Sequence, residues 1–288
     1  MDLVCVGDVM LDVHVASGAL ARGGDVHGRV ALRPGGTSAN AAVWAAWTGA
    51  SSAVIGAVGD DLVGRLCVEA VAERGVEVGG VVRRLSPTGV MVIMTEAGER
   101  SMVADRGANA RLEPADVEGI EGAAVLISGY LFLQEPGHDV ALSAIGSARA
   151  TLLAVEAASW PLVDSFGADR FFEETDGCDA VLANEREARS LVGLDGADAA
   201  RALGERYRVA AVKAGERGAI LSADGEILVA EAEPIQEVES TGAGDAFDGV
   251  LLAELARGRT PREALARATH AGALVAAGSQ TWPEPGAS

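Results

Sequence analysis

Between positions 239 and 247 the chain reads Glu-Ser-Thr-Gly-Ala-Gly-Asp-Ala-Phe. Three small residues, Gly242, Ala243 and Gly244, stand directly before an apolar run. In that run Phe247, Val250, Leu251 and Leu255 recur at intervals of three and four, the spacing of one helix face. With Thr241 as N-cap, the small residues fall in the first helical turn. There the backbone N–H groups have no intrahelical partner and the helix dipole is positive. Side chains this small let an anion reach the bare amides, which is the physics of a phosphate cradle. Asp245, one step further in, is placed to take a proton from a hydroxyl attacking a bound phosphoryl group. The same residues also make an ordinary capped turn, so the rest of the chain decides between the two readings.

Other polar residues gather where glycines punctuate apolar runs. Asp8 and Asp12 follow the wholly apolar Leu3-Val4-Cys5-Val6, and a carboxylate such as Asp12 can accept two substrate hydroxyls. Gly35-Gly36-Thr37-Ser38-Ala39-Asn40 leads into an alanine-rich helix capped by Thr37 or Ser38. Asn40 would then present its amide from the first turn to whatever the glycines contact. Asp105-Arg106-Gly107-Ala108-Asn109 is another small-residue, polar segment. Asn184 and Glu187 share a helix face three residues apart, which suits either a hydrated magnesium ion held through oxygen or a capping box. Lys213, the sole lysine, opens a turn containing Gly215 and Gly218, and His270 sits in the last helix.

These residues need a scaffold that brings distant segments to one rim. Short apolar runs at 3–6, 54–59, 125–129, 152–155, 180–183 and 209–212 read as buried strands alternating with helical segments, among them 62–74, 140–148 and 261–277. That rhythm belongs to a mostly parallel sheet covered on both faces, with ligands beyond the strands' carboxyl ends. The rhythm breaks twice. Residues 12–34 are glycine-rich and weakly periodic, like a flap. Residues 88–104 read as a hairpin turning at Glu96-Ala97-Gly98-Glu99. Val90, Val92 and Met94 lie on one side of the hairpin and Met91 and Ile93 on the other. Both faces should therefore be covered, one by substrate and the main body and the other by a second subunit, unless the hairpin lies in the core.

Composition narrows the partners. The chain has 288 residues and a formal charge of −19, which disfavours nucleic acid and anionic membranes. A polyanionic substrate therefore needs a local positive trap. No apolar run is long enough to span a bilayer, and the first residues lack the basic start of a signal peptide. Cys5, Cys67 and Cys178 have no metal-site spacing and read as reduced, buried thiols of a cytoplasmic protein.

The ordered set Gly7-Asp8…Asp12, Gly35-Gly36…Asn40, Gly107-Ala108-Asn109, Asn184…Glu187, Lys213…Gly215…Gly218 and Thr241-Gly242-Ala243-Gly244-Asp245 resembles the ribokinase-like (PfkB-type) carbohydrate kinases over essentially the whole chain. The resemblance implies one three-layer α/β/α domain over residues 1–288, with a mostly parallel central sheet. A small β-sheet lid is expected from about 12–34 and 84–106. It implies Asp245 as catalytic base and Gly242, Ala243 and Gly244 as anion hole. Sugar binding falls to Asp12, Gly35, Gly36, Asn40 and Asn109. Asn184 and Glu187 are the pair linked to Mg²⁺ and phosphates. Lys213, Gly215, Gly218 and Thr241 border ATP, with His270 at or near the nucleotide pocket.

Two departures stand out. Glu239 replaces the Asp that contributes to a monovalent-cation site in several members, which counts against activation by K⁺. The stretch Gly278-Ser279-Gln280-Thr281-Trp282 lacks the frequent Gly-Ala loop. The expected activity is transfer of the ATP γ-phosphoryl group to a hydroxyl of a small sugar or sugar acid, by a homodimer joined through the lid. Arg106 is a candidate partner for a sugar-acid carboxylate. A nucleoside kinase of the same fold is the alternative, with Tyr130, Phe132 and Trp160 available for a base. A non-catalytic sugar- or nucleotide-binding regulator is the third reading. A Walker A loop is excluded because Ala214 follows the only lysine, and a dinucleotide fold because the first strand is not followed by its glycine fingerprint.

Overall fold

A computed structural model describes residues 1–284 except 19–22, 97–98, 237 and 279. The chain opens with β1 (Leu3–Val6), leaves the main body for β2 (Met10–Ser17) and β3 (Gly28–Gly35), and returns with β4 (Ser52–Gly59) and β5 (Glu77–Arg84). It goes out again for β6 (Gly89–Glu96) and β7 (Glu99–Asp105). It then completes the body with β8 (Glu121–Ile127), β9 (Arg149–Glu156), β10 (Ala180–Asn184), β11 (Val209–Lys213), β12 (Ala219–Ala223) and β13 (Glu226–Ala230).

Among the described residues, the strands form a nine-stranded sheet in the order β13-β12-β11-β10-β9-β8-β1-β4-β5 and a separate four-stranded sheet, β3-β2-β6-β7. From β5 across to β11 every pairing in the large sheet is parallel, while β12 and β13 add an antiparallel edge. Strand side chains alternate between two layers. Leu3 and Cys5 enter one core with Trp44, Phe247 and Leu251; Val4 and Val6 enter the other with Phe132, Phe171 and Leu203. Burial on both faces explains why these strands are continuous apolar runs rather than alternating ones. The architecture is the three-layer α/β/α arrangement expected, with the small sheet as its lid. All three cysteines are buried and unpaired.

The helices Thr37–Trp47, Ala243–Ala256 and Pro261–Ala277 pack on one face, the second between the other two. Gly249 is the contact that lets the first two approach: a Cβ there would lie 2.1 Å from the Ala41 carbonyl oxygen. Both glycine-led helices start one residue away from the expected caps. Gly36 (φ 100°) and Gly242 (φ 85°) are the N-caps, not Thr37, Ser38 or Thr241, and neither helix has a side-chain cap. Positive φ strains an L side chain, so glycine takes the turn itself and the neighbouring hydroxyl residues do not cap. The hairpin turn at 97–98, residues 19–22 of the flap and Ser279 lie outside the described residues.

Candidate active site

The carboxyl ends of the parallel strands, the start of the Ala243–Ala256 helix and the inner face of the lid enclose a cleft of about 890 Å³. Asp12, Gly36, Asn40, Asn184, Glu187, Lys213, Gly215, Gly218, Thr241, Gly242, Ala243, Gly244 and Asp245 all line it. Segments more than 200 residues apart in sequence thus meet on one surface.

Asp245 lies half-buried in the first turn of its helix. Its Oδ2 accepts a hydrogen bond of 2.7 Å from Asn40 Nδ2, and among the described residues nothing donates to Oδ1. Burial pushes this carboxyl up to about 6. The Asn40 bond and Lys213 pull it down, while Asp248 and Glu187 push it up. Beside it, the Ala243 N–H bonds the Ser240 carbonyl at 3.2 Å, whereas the N–H groups of Gly242 and Gly244 make no hydrogen bond among the described residues. The cradle is therefore built from the two glycine amides, and Ala243 contributes chiefly its small size. A Cβ on Gly244 would meet only Lys213 Nζ, at 3.5 Å, so the protein does not itself fill that space.

Behind the cradle is a buried charge cluster. Lys213 Nζ donates to Asp248 Oδ2 at 2.6 Å, and Asp248 is 1% exposed. Burial alone would lower the lysine's pKa. Asp248, Glu156 and Glu187 outweigh it and hold the ammonium charged. Burial likewise pushes Glu156 and Glu187 above the usual carboxylate range, with Lys213 opposing it in both. The register explains the grouping: Asn184 on β10 pairs with Lys213 on β11, and Glu156 ends β9 alongside.

Asn184 and Glu187 form the capping box. Glu187 Oε2 and Oε1 accept from Asn184 N at 2.7 Å and Nδ2 at 2.5 Å, while Asn184 Oδ1 accepts from the Arg186 and Glu187 amides at 2.9 and 3.0 Å. Among the described residues Glu156 Oε2, buried, has no hydrogen-bond partner, and Glu156 lines the same cleft. That orphan oxygen beside Glu187 suits a hydrated Mg²⁺ carried by nucleotide phosphates. Among the described residues no three acidic or imidazole groups form an all-protein metal cage.

On the lid, Met10, Asp12, Met91, Ile93 and Met102 face the cleft. Asp12 is buried, no described residue donates to its carboxylate, and burial followed by Asp245 raises it to about 7. Gly35 does not line the cleft but makes room for Asp12: a Cβ there would lie 2.4 Å from Asp12 Oδ2.

Besides Gly35, four expected residues lie off the cleft surface. Arg106 is held by Asp8, Nη2 to Oδ1 at 2.6 Å and Nε to Oδ2 at 3.3 Å, while its buried Nη1 has no hydrogen-bond partner among the described residues. Asn109 bonds the Val9 amide and carbonyl, both at 3.0 Å, and pins the β1–β2 turn. His270 is 43% exposed and contacts Glu233, which itself lines the cleft. Glu239 Oε1 accepts from the Thr241 amide and hydroxyl at 3.1 and 2.6 Å, and its Oε2 lies 3.8 Å from His14 on the lid. Of the aromatics, Tyr130 lines the cleft, Phe132 is fully buried among Phe166 and Phe171, and Trp160 is exposed.

Sequence reasoning missed Glu156, Asp248 and Trp282. An acid closing an apolar strand was the available signal for Glu156. Asp248 was hidden inside a helical run, and Trp282 bonds Asn40 across 242 positions of sequence.

A doubly covered parallel sheet, a β lid and an acid at a glycine-opened helix start define a phosphotransferase of the ribokinase-like class. The model of the pfkB family of carbohydrate kinases matches residues 1–284, and the chain belongs to that family. A 2-dehydro-3-deoxygluconokinase of Thermoproteus tenax is 31% identical over 258 residues, covering 83% of this chain and 78% of the relative. The adenosine kinase structure from Sinorhizobium meliloti superposes with a TM-score of 0.84 at 23% identity, covering 98% and 96% of the two chains. A putative ribokinase II from E. coli, in complex with ATP and Mg²⁺, gives 0.81 at 21% identity over 97% and 94%.

Proposed function

We propose that the protein transfers the γ-phosphoryl group of ATP to a hydroxyl of a small sugar or sugar acid, with Asp245 as base. The observation that carries this reading is the Asp245 carboxylate, one oxygen held by Asn40, beside the unbonded amides of Gly242 and Gly244. The acceptor lies between the lid and the sheet. Its hydroxyls bond the Asp12 carboxylate, and the thioethers and Ile93 cover its apolar face. The attacking hydroxyl sits at Oδ1 of Asp245, which orients it and accepts its proton as the new O–P bond forms and the bond from the γ-phosphorus to the bridging oxygen breaks, with ADP as leaving group. The two glycine amides and the dipole of the Ala243–Ala256 helix stabilise charge on the transferring group. Lys213, already balanced by Asp248, adds a fixed positive charge beneath that helix start. Asn184, Glu187 and Glu156 would hold Mg²⁺ through water. Bound there, the ion supplies charge neutralisation on the phosphates. The lid excludes water, which would otherwise compete as acceptor.

The relative from Thermoproteus tenax supports a sugar acid as one acceptor class, and the Arg106 guanidinium, bound to Asp8 through Nη2 and Nε, keeps Nη1 without a hydrogen-bond partner among the described residues. The outer lid face supports a homodimer. Val30, Leu32 and Val103 stand 66%, 60% and 65% exposed, on the side of the sheet away from the cleft. The testing experiment is ADP release across neutral sugars, sugar acids and nucleosides, with and without potassium. Acceptor-dependent ADP release with a sugar or sugar acid is expected. Turnover confined to nucleosides, or none with any acceptor, would contradict the assignment.

A further inference from the structure

The segment Thr281–Pro283 crosses the start of the cradle as a strap. Trp44 Nε1 donates to the Thr281 carbonyl at 2.9 Å, and Arg74 Nε donates to the Pro283 carbonyl at 3.2 Å. The Arg74 guanidinium also lies 5.7 Å from the centre of the Trp282 ring. The helix Thr37–Trp47 and the turn that carries Arg74 therefore both hold the strap. The strap is tight against the anion hole: a Cβ on Gly242 would lie 2.4 Å from Thr281 Cγ2.

Trp282 is 8% exposed, and its Nε1 donates to Asn40 Oδ1 at 2.7 Å. Asn40, 3% exposed, reaches Asp245 with its other end. An indole N–H can only donate, so the atom of Asn40 facing it must be the carbonyl oxygen. The amide nitrogen is then the atom that faces the carboxylate. The flipped amide would set two donors against each other at one end and two acceptors at the other. The indole end of the pair is buried, where an unpaired donor is costly.

We propose that Trp282 is a positioning residue for phosphoryl transfer: its indole N–H locks the Asn40 carboxamide so that Nδ2 holds Oδ2 of Asp245 and Oδ1 is left to the acceptor hydroxyl. This rests on Asp245 being the base. It assigns a role to the C-terminal strap, whose described residues Thr281, Trp282 and Pro283 do not line the cleft. It also changes the role of Asn40, whose oxygen is committed to Trp282 rather than to a sugar. The charged and titratable groups facing Asp245 come from every side: Asp12 on the lid, Glu156, Glu187 and Lys213 at the strand ends, Asp248 on its own helix, and Tyr130. None of them fixes the orientation of the carboxylate by a hydrogen bond among the described residues.

The test is Trp282→Phe, which keeps an aromatic ring in the strap, removes the donor and shortens the side chain by one ring. With the best acceptor, kcat should fall roughly tenfold and KM for nucleotide and acceptor should stay within about twofold, the weight of one hydrogen bond acting on orientation. The acidic limb of the rate profile should move to higher pH as the Asn40 bond loosens. An unchanged kcat and limb, or a raised KM at unchanged kcat, would overturn the proposal. A readout independent of turnover is the ¹⁵N–¹H spectrum of the four indoles. The signal missing in Trp282→Phe should titrate in the wild type and stand still in Asp245→Asn. An indole of Trp282 insensitive to pH in the wild type would also overturn it. If Asp245→Asn turns over normally, the base assignment fails and the positioning role fails with it. If Asp245→Asn is inactive and Trp282→Phe is not, only the positioning role fails.

Discussion

Asp245 sits under opposing demands. As the proposed base it must be ionised, yet burial and the neighbouring acids raise its pKa to about 6. A carboxyl whose folded value lies above its unfolded one favours the folded state fully only below the unfolded value, near 3.8. That contribution is lost as pH rises through about 6, so at neutral pH the ionised group strains the fold. Asp245→Asn, which retains a hydrogen-bonding amide, should therefore melt a few degrees higher than the wild type at pH 8, with the gain disappearing towards pH 4. Thermal melts across that range check it, and equal melting points at pH 8 would contradict it. Small residues before a helix also make an ordinary capped turn, so this residue became legible only with the other glycine-flanked polar segments along the chain. The sequence left Arg106 and Asn109 ambiguous: a polar side chain beside glycines reads alike whether it meets a ligand or, as here, Asp8 and the Val9 backbone.

The lid is the element whose two faces carry different work. Met91, Ile93 and Met102 look into the cleft. On the other face Val13 and Val90 pack on the main core, while Val30, Leu32 and Val103 stay open to solvent. If that face joins two copies, Val103→Glu should convert a dimer into a monomer in sedimentation analysis, since a charge buried without a partner opposes association. A wild type that sediments as a monomer, or a variant dimer of unchanged affinity, would contradict the lid interface. The hairpin was legible because its period-two pattern is apolar on both sides. Strand β5 was not, because at the sheet edge Glu77, Gly79, Gly80 and Arg83 replace the apolar run that marks central strands. The helix starts were displaced by one residue because cap statistics favour Thr and Ser, while the backbone required positive φ and hence glycine.

At the scale of the molecule, a chain of net charge −19 must hold a polyanion and move a phosphoryl group. In the proposed mechanism it does so locally, with one lysine, two glycine amides that make no hydrogen bond among the described residues and a helix dipole assembled where the strands end. The alternation of strands and helices was readable because it repeats along the whole chain. The convergence of Trp282, Asn40 and Asp245 was not, since it exists only once the C-terminal segment has folded back across the first helix. The most direct test of the central claim is single-turnover ADP formation by Asp245→Asn at saturating ATP and acceptor, with nucleotide affinity measured on the same sample. The account predicts a rate lower by about three orders of magnitude at unchanged affinity. A rate near that of the wild type would contradict it.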